Sequence, residues 1–275
     1  MKKETNKAEK KKKIGYWRAQ ANAFLTSFKN IPKKDFFKSA LFDLLTIISV
    51  FIIAVVAFAL INRISMTALP QLVQVYELKQ AGDEQAFNAA LVEFAPVINK
   101  VIWISFIIAV LAFLLMLFFI SWFYGKAWLC SLKKKFSNRF LRKYFIFNLT
   151  WIVAWIIIIA ISVNVFVTVA AAIVLVIEAL LFFYSDPVLR AVFDEKKSWR
   201  QNWAEFFGVA KRIHWFIFFI IAALIIMLIL LAISGLLASL PLLFGIVLII
   251  FTLFLLGWMR NYIIQLVYQV YHRKN

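Results

Sequence analysis

The sequence predicts an all-α membrane protein, a bundle of six transmembrane helices with additional interfacial amphipathic helices. Apolar residues make up 64% of the chain, whereas soluble domains are closer to half apolar. They gather in six runs near the length of about 20 residues that a helix needs to cross the hydrocarbon core. Backbone groups inside lipid must be satisfied internally, which favours helices. The runs are Ser39–Ile61, Val101–Phe123, Phe145–Ser162, Val165–Tyr184, Trp215–Leu236 and Leu242–Met259.

The distribution of basic residues predicts the orientation. Of the 31 Lys and Arg residues, 28 lie in segments that alternate crossings place on one side, and only Arg63, Lys79 and Lys100 lie on the other. Short cytoplasmic loops are enriched in these residues. The sequence therefore predicts a multi-pass cell-membrane protein with both termini cytoplasmic. The net charge of +18 is interpreted as topology signals and contacts with anionic lipid headgroups, not as a nucleic-acid surface.

The chain divides into a basic cytoplasmic segment, 1–38, and a six-helix domain, 39–275. Residues 1–13 are charged and are expected to be disordered, and 14–31 has the spacing of an amphipathic helix at the membrane surface. On the outer side, 62–100 contains two amphipathic stripes separated by a turn at 81–83. This pattern predicts a hairpin of two short helices that caps the bundle or acts as a lid.

The remaining connections are predicted from local polar residues. A turn at Ser162–Asn164 is expected to separate the third and fourth spans, and one at Ser239–Pro241 the fifth and sixth. In the inner loop 185–214, Ser198 followed by Gln201 is a capping-box pattern. The helix that it starts is predicted to lie along the inner membrane surface, with one apolar face formed by Trp199, Trp203, Phe206, Phe207 and Ala210.

Three ionisable residues in or beside the spans are the candidate functional residues, since such groups mark functional sites in membranes. Asp43 lies near the inner end of the first span, Glu178 in the fourth, and Arg260 at the inner end of the sixth. One interpretation places Asp43 and Glu178 on a common inner-leaflet cavity that binds a cation, a proton or a polar headgroup, with Arg260 as a partner. The other places Asp43 at the interface and pairs Glu178 with Arg260 structurally.

Sequence motifs for catalysis are not found. The single cysteine, Cys130, excludes an intrachain disulfide and a thiolate metal site, and no nucleophile, metal or phosphate-loop motif is present. The prediction is therefore a protein that is not an enzyme, with no catalytic residues, no metal site and no cofactor.

Two segments carry a resemblance to a known group of proteins. The first runs from Phe183 through Pro187 to Ser198, followed by an amphipathic helix and another span, and the second is Leu266–Tyr271 with the basic residues after it. Over residues 101–275 they resemble six-helix prokaryotic membrane proteins of unknown function, including the membrane domain attached to some glycerophosphoryl diester phosphodiesterases. The resemblance implies a membrane module without that chemistry, and it carries over no catalytic residues.

These observations favour a non-enzymatic membrane module that organises lipids or a partner membrane protein through a basic inner surface. A small transporter or permease with a site near Asp43 and Glu178 is the alternative, and a lipid-modifying enzyme is a third possibility. Within the six runs the only glycines are Gly235, Gly245 and Gly257, and proline is absent. Because transporter sites favour helices broken by Gly or Pro, this pattern lowers the weight of the transporter.

Overall fold

The computed structural model describes residues 16–29, 31, 33–166, 168–236 and 241–272, and all regular structure within them is helical. A π-helical turn, Ile120–Tyr124, joins the third and fourth helices, and a 3-10 turn, Ile213–Trp215, precedes the eighth. In chain order the helices are α1 (Tyr16–Lys29), α2 (Lys34–Ala81), α3 (Glu84–Phe119), α4 (Gly125–Ser131), α5 (Asn138–Val165), α6 (Thr168–Val192), α7 (Trp199–Ala210), α8 (Ile217–Leu236) and α9 (Pro241–His272).

Within the described residues, five helical segments are long and apolar enough to cross a membrane. They are Lys34–Ala81, Glu84–Ser131, Asn138–Val165, Ala172–Val192 and Gly245–Gln269. This confirms the prediction of a multi-pass helical membrane protein. The fifth apolar run also forms a helix, α8, of 20 residues, whereas a sixth crossing and the orientation of the termini stay predictions.

The chain forms two compact units. The larger comprises the described parts of 1–43 and 125–275, and the smaller comprises 44–124. In the larger unit α9 is the central element, because it contacts α1, α4, α6, α7 and α8. Its buried side chains include Trp258, Tyr262, Ile263 and Leu266.

The smaller unit contains the predicted hairpin of residues 62–100, but its helices are not short. Residues 62–81 continue α2, which is 48 residues long, and 84–100 begin α3. The turn falls where it was predicted: Gly82 has φ +77°, a conformation that favours glycine, and the Asp83 side chain accepts the Ala86 N–H and caps α3. Helix α2 continues through Pro70 and α3 through Pro96, so neither proline ends its helix.

The two arms of this hairpin pack through a narrow apolar seam. Ala68, Val75 and Phe94 are buried in it, and Phe87, Ala90, Val97 and Val101 pack against them. The residues from α3 alternate in steps of three and four, the spacing of a coiled-coil seam. Most of the second predicted stripe packs in this seam. The first predicted stripe, which is Leu69, Leu72, Val73 and Tyr76, is wrong as a packing face because all four side chains are exposed.

The turn between the third and fourth spans lies later than predicted. Helix α5 continues to Val165, and Phe166 ends it in an extended conformation. Ser162 and Asn164 do not form the turn because their side chains find partners in helical structure. The Ser162 hydroxyl donates to Glu178, and the Asn164 amide donates to the Ala160 carbonyl.

The inner loop 185–214 is also more helical than predicted, since α6 continues past Tyr184 to Val192 with Pro187 inside it. The capping box of α7 is confirmed, with both the Ser198 and the Gln201 hydrogen bonds present. The tail 1–13, Pro32, Ser239 and Leu240 lie outside the described residues, and Pro241 begins α9.

Candidate functional site: buried and surface charges of the larger unit

Asp43 and Arg260 form a buried ion pair between α2 and α9. Arg260 Nη2 donates to Asp43 Oδ1 at 2.6 Å and to Oδ2 at 2.5 Å, and the two side chains are 0% and 1% exposed. Arg260 Nη1 also donates to the Ala127 carbonyl at 3.3 Å. The predicted exposure of Asp43 at the interface is therefore wrong, because burial of either charge requires its partner.

The start of α2 is held against α9 by shape as well as by charge. A Cβ at Gly257 would lie 2.5 Å from Cε2 of the Phe36 ring, so only glycine lets this ring pack on the helix. Phe36 is buried. Gly257 lies about one turn before Arg260, and Phe36 about two turns before Asp43. This contact and the ion pair therefore act together on the packing of the two helices.

Helix α1 adds a third contact with α9. The Tyr262 hydroxyl donates to Gln20 Oε1 at 2.9 Å, and Ala19, Ala23 and Ser27 are buried on the same side of α1. The predicted helix is confirmed, whereas its place at the membrane surface stays a prediction. Its small and polar residues pack on the protein together with Phe24, whose ring lies 5.9 Å from that of Trp258 and 6.0 Å from that of Tyr262. Trp17 is 73% exposed.

Glu178 lies apart from this ion pair. It accepts a hydrogen bond from the Ser162 hydroxyl of α5, and no ion pair joins it to Arg260 among the described residues. The predicted Glu178–Arg260 pairing is wrong because Arg260 already binds Asp43 with two hydrogen bonds. Glu178 is 8% exposed, and its Oε2 is buried without a hydrogen-bond partner.

Arg190 forms a second buried charge cluster, which the sequence analysis missed. Its Nε and Nη2 donate to the two carboxylate oxygens of Asp186 at 2.7 and 2.8 Å. Its Nη1 donates to the Tyr144 hydroxyl at 2.5 Å and to Asn148 Oδ1 at 3.2 Å. The Asp186–Arg190 spacing of four residues was the available signal, but α6 had been predicted to end before both.

The loops after α4 and α6 meet through acidic side chains. Lys134 Nζ donates to Asp194 Oδ2 at 2.9 Å, and the Ser137 hydroxyl donates to Glu195 Oε2. Lys143 Nζ donates to the carbonyls of Glu195 and Lys197 at 2.7 and 3.1 Å. These bonds tie the loop 132–137 to the loop 193–198.

The Asp194 carboxylate is stabilised in its ionised form. Partial burial raises its pKa, but the Lys196 backbone N–H and the Lys134 and Lys197 ammonium groups lower it more, so the net pKa lies below the ordinary value. The Asn202 side chain bonds both the N–H and the carbonyl of Asp194. The loop 193–198 is therefore held by Lys134 through the Asp194 side chain and by Asn202 through the Asp194 backbone.

Lys133 adopts a left-handed backbone conformation with φ 55°, the only such non-glycine residue in the described chain. It ends α4 in a Schellman motif, in which the Lys134 N–H bonds the Leu129 carbonyl and the Lys133 N–H bonds that of Cys130. Glycine is usual at this position, and the left-handed conformation costs other residues about 1–2 kcal/mol. The chain keeps a charged residue here in spite of that cost.

Only part of the predicted apolar face of α7 packs on the rest of the protein. Asn202, Phe206 and Val209 are buried, while Trp199 and Phe207 are 43% and 60% exposed. Phe206 packs on Trp151 of α5 at 5.2 Å between ring centroids. The side of α7 that carries Phe206 faces α5. Asn202 lies on the buried side because its side chain bonds the backbone of Asp194.

A small cavity opens between the two tied loops. Its volume is about 290 Å³, close to the lower end of ligand pockets. Leu129, Phe140 and Phe193 form its buried apolar part. Its charged lining comprises Lys134, Lys135, Asp194, Glu195 and Lys196.

Comparisons of this chain with known protein families, with curated proteins and with solved structures found no match.

Proposed function

We propose that this protein is a non-enzymatic membrane module that binds anionic lipid headgroups at a basic cytoplasmic surface. The proposed arrangement has six crossings in the cell membrane and both termini cytoplasmic. In this arrangement the ends of α4, α6 and α9 and the starts of α2 and α5 lie on one side of the membrane. The basic surface is defined by eight exposed cations within 132–142 and 196–211: Lys133, Lys134, Lys135, Arg139, Arg142, Lys196, Arg200 and Lys211.

The observation that carries this proposal is that the neighbouring carboxylates are all bonded within the protein. All four acidic residues of 185–214 are engaged within the protein, while 124–144 has none. Asp186 bonds Arg190, Asp194 bonds Lys134, and Glu205 bonds Lys197 at 2.5 Å, while Glu195 accepts from Ser137. The remaining cations on this surface are therefore in excess and suit an anionic partner.

Exposed aromatic residues support a lipid partner over a soluble one. Trp199 and Phe207 stand on the exposed side of α7, beside the exposed Arg200. Amphipathic helices that rest in the interface combine aromatic and basic residues in this way. Each cation near an anionic surface contributes about 1 kcal/mol.

The test is lipid enrichment in nanodiscs that contain phosphatidylglycerol and phosphatidylcholine. We expect the full-length protein to retain phosphatidylglycerol above its bulk fraction, and expect added salt to reduce the enrichment because exposed charges are screened. Replacing Arg139, Arg142, Arg200 and Lys211 together with Gln should lower it. Retention of phosphatidylglycerol at its bulk fraction contradicts the proposal. Co-purification of a membrane protein would indicate that the partner of the basic surface is a protein and not a lipid.

A small transporter is the second candidate, and one observation favours it. Glu178 is buried in α6 with an unbonded carboxylate oxygen, and intramembrane carboxylates often lie on ion pathways. Asp43 contributes less to this candidate because Arg260 binds both of its oxygens. Cation or proton flux into proteoliposomes that is lost in Glu178→Gln would support transport, whereas absence of flux in the wild-type protein would exclude these two cargoes.

A further inference from the structure

We propose that the cavity between the loops 132–137 and 193–198 is a binding site for a phosphoryl group, held by Lys135 and Lys196. The inference rests on the proposed function and names one site within the basic surface. A phosphodiester or phosphomonoester is the expected ligand chemistry, carried either by a lipid headgroup or by a free phosphate compound.

The acidic residues of the cavity do not compete for these two lysines. Asp194 accepts from Lys134 Nζ and from the Lys196 backbone N–H, and Glu195 accepts from Ser137. In the described chain, neither Lys135 nor Lys196 has a carboxylate within ion-pair distance of its ammonium group. Both lysines line the cavity and neither is paired with a carboxylate, and Lys is a common point-charge ligand for phosphate.

The cavity is shaped before any ligand arrives. Lys143 and Asn202 hold the loop 193–198 through its backbone, and the Schellman motif at Lys133 fixes the entry to 132–137. A preformed site loses less conformational freedom on binding than a mobile one. The loop bonds thus favour a discrete site over diffuse attraction to a charged surface.

The apolar side of the cavity is a packed floor with little exposed surface. Phe140 and Phe193 pack at 5.5 Å between ring centroids, and both are 4% exposed. Leu129 completes this side. Because so little of these side chains is exposed, the carbon skeleton of a ligand gains little contact here, and recognition depends on the charged lining.

The experiment counts lipids that stay bound to the full-length protein after release from phosphatidylglycerol–phosphatidylcholine nanodiscs, by native mass spectrometry. The test variant is Lys135→Gln with Lys196→Gln. The matched control is Arg200→Gln with Lys211→Gln, which removes two exposed cations outside the cavity. Because Arg200 and Lys211 belong to the basic surface but do not line the cavity, the control should weaken binding of the first phosphatidylglycerol, but less than the cavity variant does.

The cavity variant should weaken binding of the first phosphatidylglycerol by about fivefold per charge removed. Lys135→Arg with Lys196→Arg should restore binding, because guanidinium groups also bind phosphate. Equal losses in the test and control variants would overturn the site but leave the proposed function standing. If the wild-type protein shows no enrichment, the proposed function fails with it.

A second arm separates the two sources of phosphate. Inorganic phosphate and glycerol 3-phosphate are titrated into the detergent-solubilised protein, and thermal unfolding is followed against chloride at equal ionic strength. Stabilisation that is lost in the cavity variant would assign the site to a soluble phosphate compound. Lipid retention without this stabilisation would assign it to headgroups, and neither effect in the wild-type protein would overturn the site.

Discussion

Buried polar groups distinguish the two units of the molecule. Of the twelve buried polar or charged side chains in the described residues, eleven belong to the larger unit, and Ser121 is the one in the smaller. The smaller unit packs its hairpin through the seam around Ala68, Val75 and Phe94. Many of its large side chains, such as Phe51 and Phe58, are exposed.

The difference shows how each unit specifies its packing in lipid. Apolar side chains gain little from leaving lipid for another helix, so transmembrane packing depends on close fit and interhelical hydrogen bonds. The larger unit uses such bonds at Asp43–Arg260 and at Arg190. The smaller unit depends on fit along one seam, and its outward apolar side chains suit contact with lipid tails.

The largest expected effect comes from separating the buried ion pair. Arg260→Met should destabilise the larger unit by about 3–5 kcal/mol, because Asp43 is left buried without a counter-charge. Adding Asp43→Leu should recover most of that loss, since an apolar pair avoids the desolvation cost. SDS titration in mixed micelles measures both, and Arg200→Met, an exposed site, should change stability by less than about 0.5 kcal/mol. A double variant as unstable as the single would refute this account of the pair.

A smaller effect is expected from the seam of the smaller unit. Phe94→Ala should lower the free energy of opening the hairpin by about 2 kcal/mol. This is below the cost of about 3–5 kcal/mol in full cores, because the seam is one layer thick. Hydrogen exchange of 62–100 is the measurement. Phe106→Ala on the same helix is the control, because Phe106 is 58% exposed. Equal exchange in the two variants would mean that the seam does not hold the hairpin.

The cap of α7 tests local structure in the larger unit. Ser198→Ala removes the side-chain acceptor of the Gln201 N–H and should cost about 1 kcal/mol. Ser198→Thr keeps the hydroxyl and should restore most of it. Exchange of the first-turn amides of α7 reports the change, and protection unchanged in Ser198→Ala would show that packing on α5 alone holds the helix.

The smallest effect concerns pH. Because the pKa of Asp194 is below its ordinary value, the folded state favours the ionised carboxylate. Its contribution to stability is present above the unfolded pKa of about 3.9 and is lost as pH falls through the lower folded pKa.

Carbon-13 titration of the Asp194 carboxyl measures this directly. Lys134→Gln should move the pKa up toward its ordinary value, because it removes a hydrogen bond and a neighbouring charge. Lys135→Gln should move it less, since Lys135 makes no ion pair with Asp194. A larger shift in Lys135→Gln would reverse the assignment of the ion pair.

Local pattern alone determined much of this protein. The apolar runs, the turn at Gly82 and Asp83, the amphipathic α1 and the capping box at Ser198 were all readable, because each depends on residues within a few positions of one another. The helix ends were less readable. Polar residues such as Ser162 look like turn formers in sequence, although a partner on another helix can satisfy them equally well.

Only the tertiary structure decided which charges meet. Asp43 and Arg260 are separated by 217 positions. Nothing local in the sequence indicates that Arg260 pairs with Asp43 and not with Glu178. The choice depends on the rotation of α2 and α9, which the Phe36–Gly257 contact and the docking of α1 fix. The sequence thus determined the charges and the helices that carry them, while helix packing determined their partners.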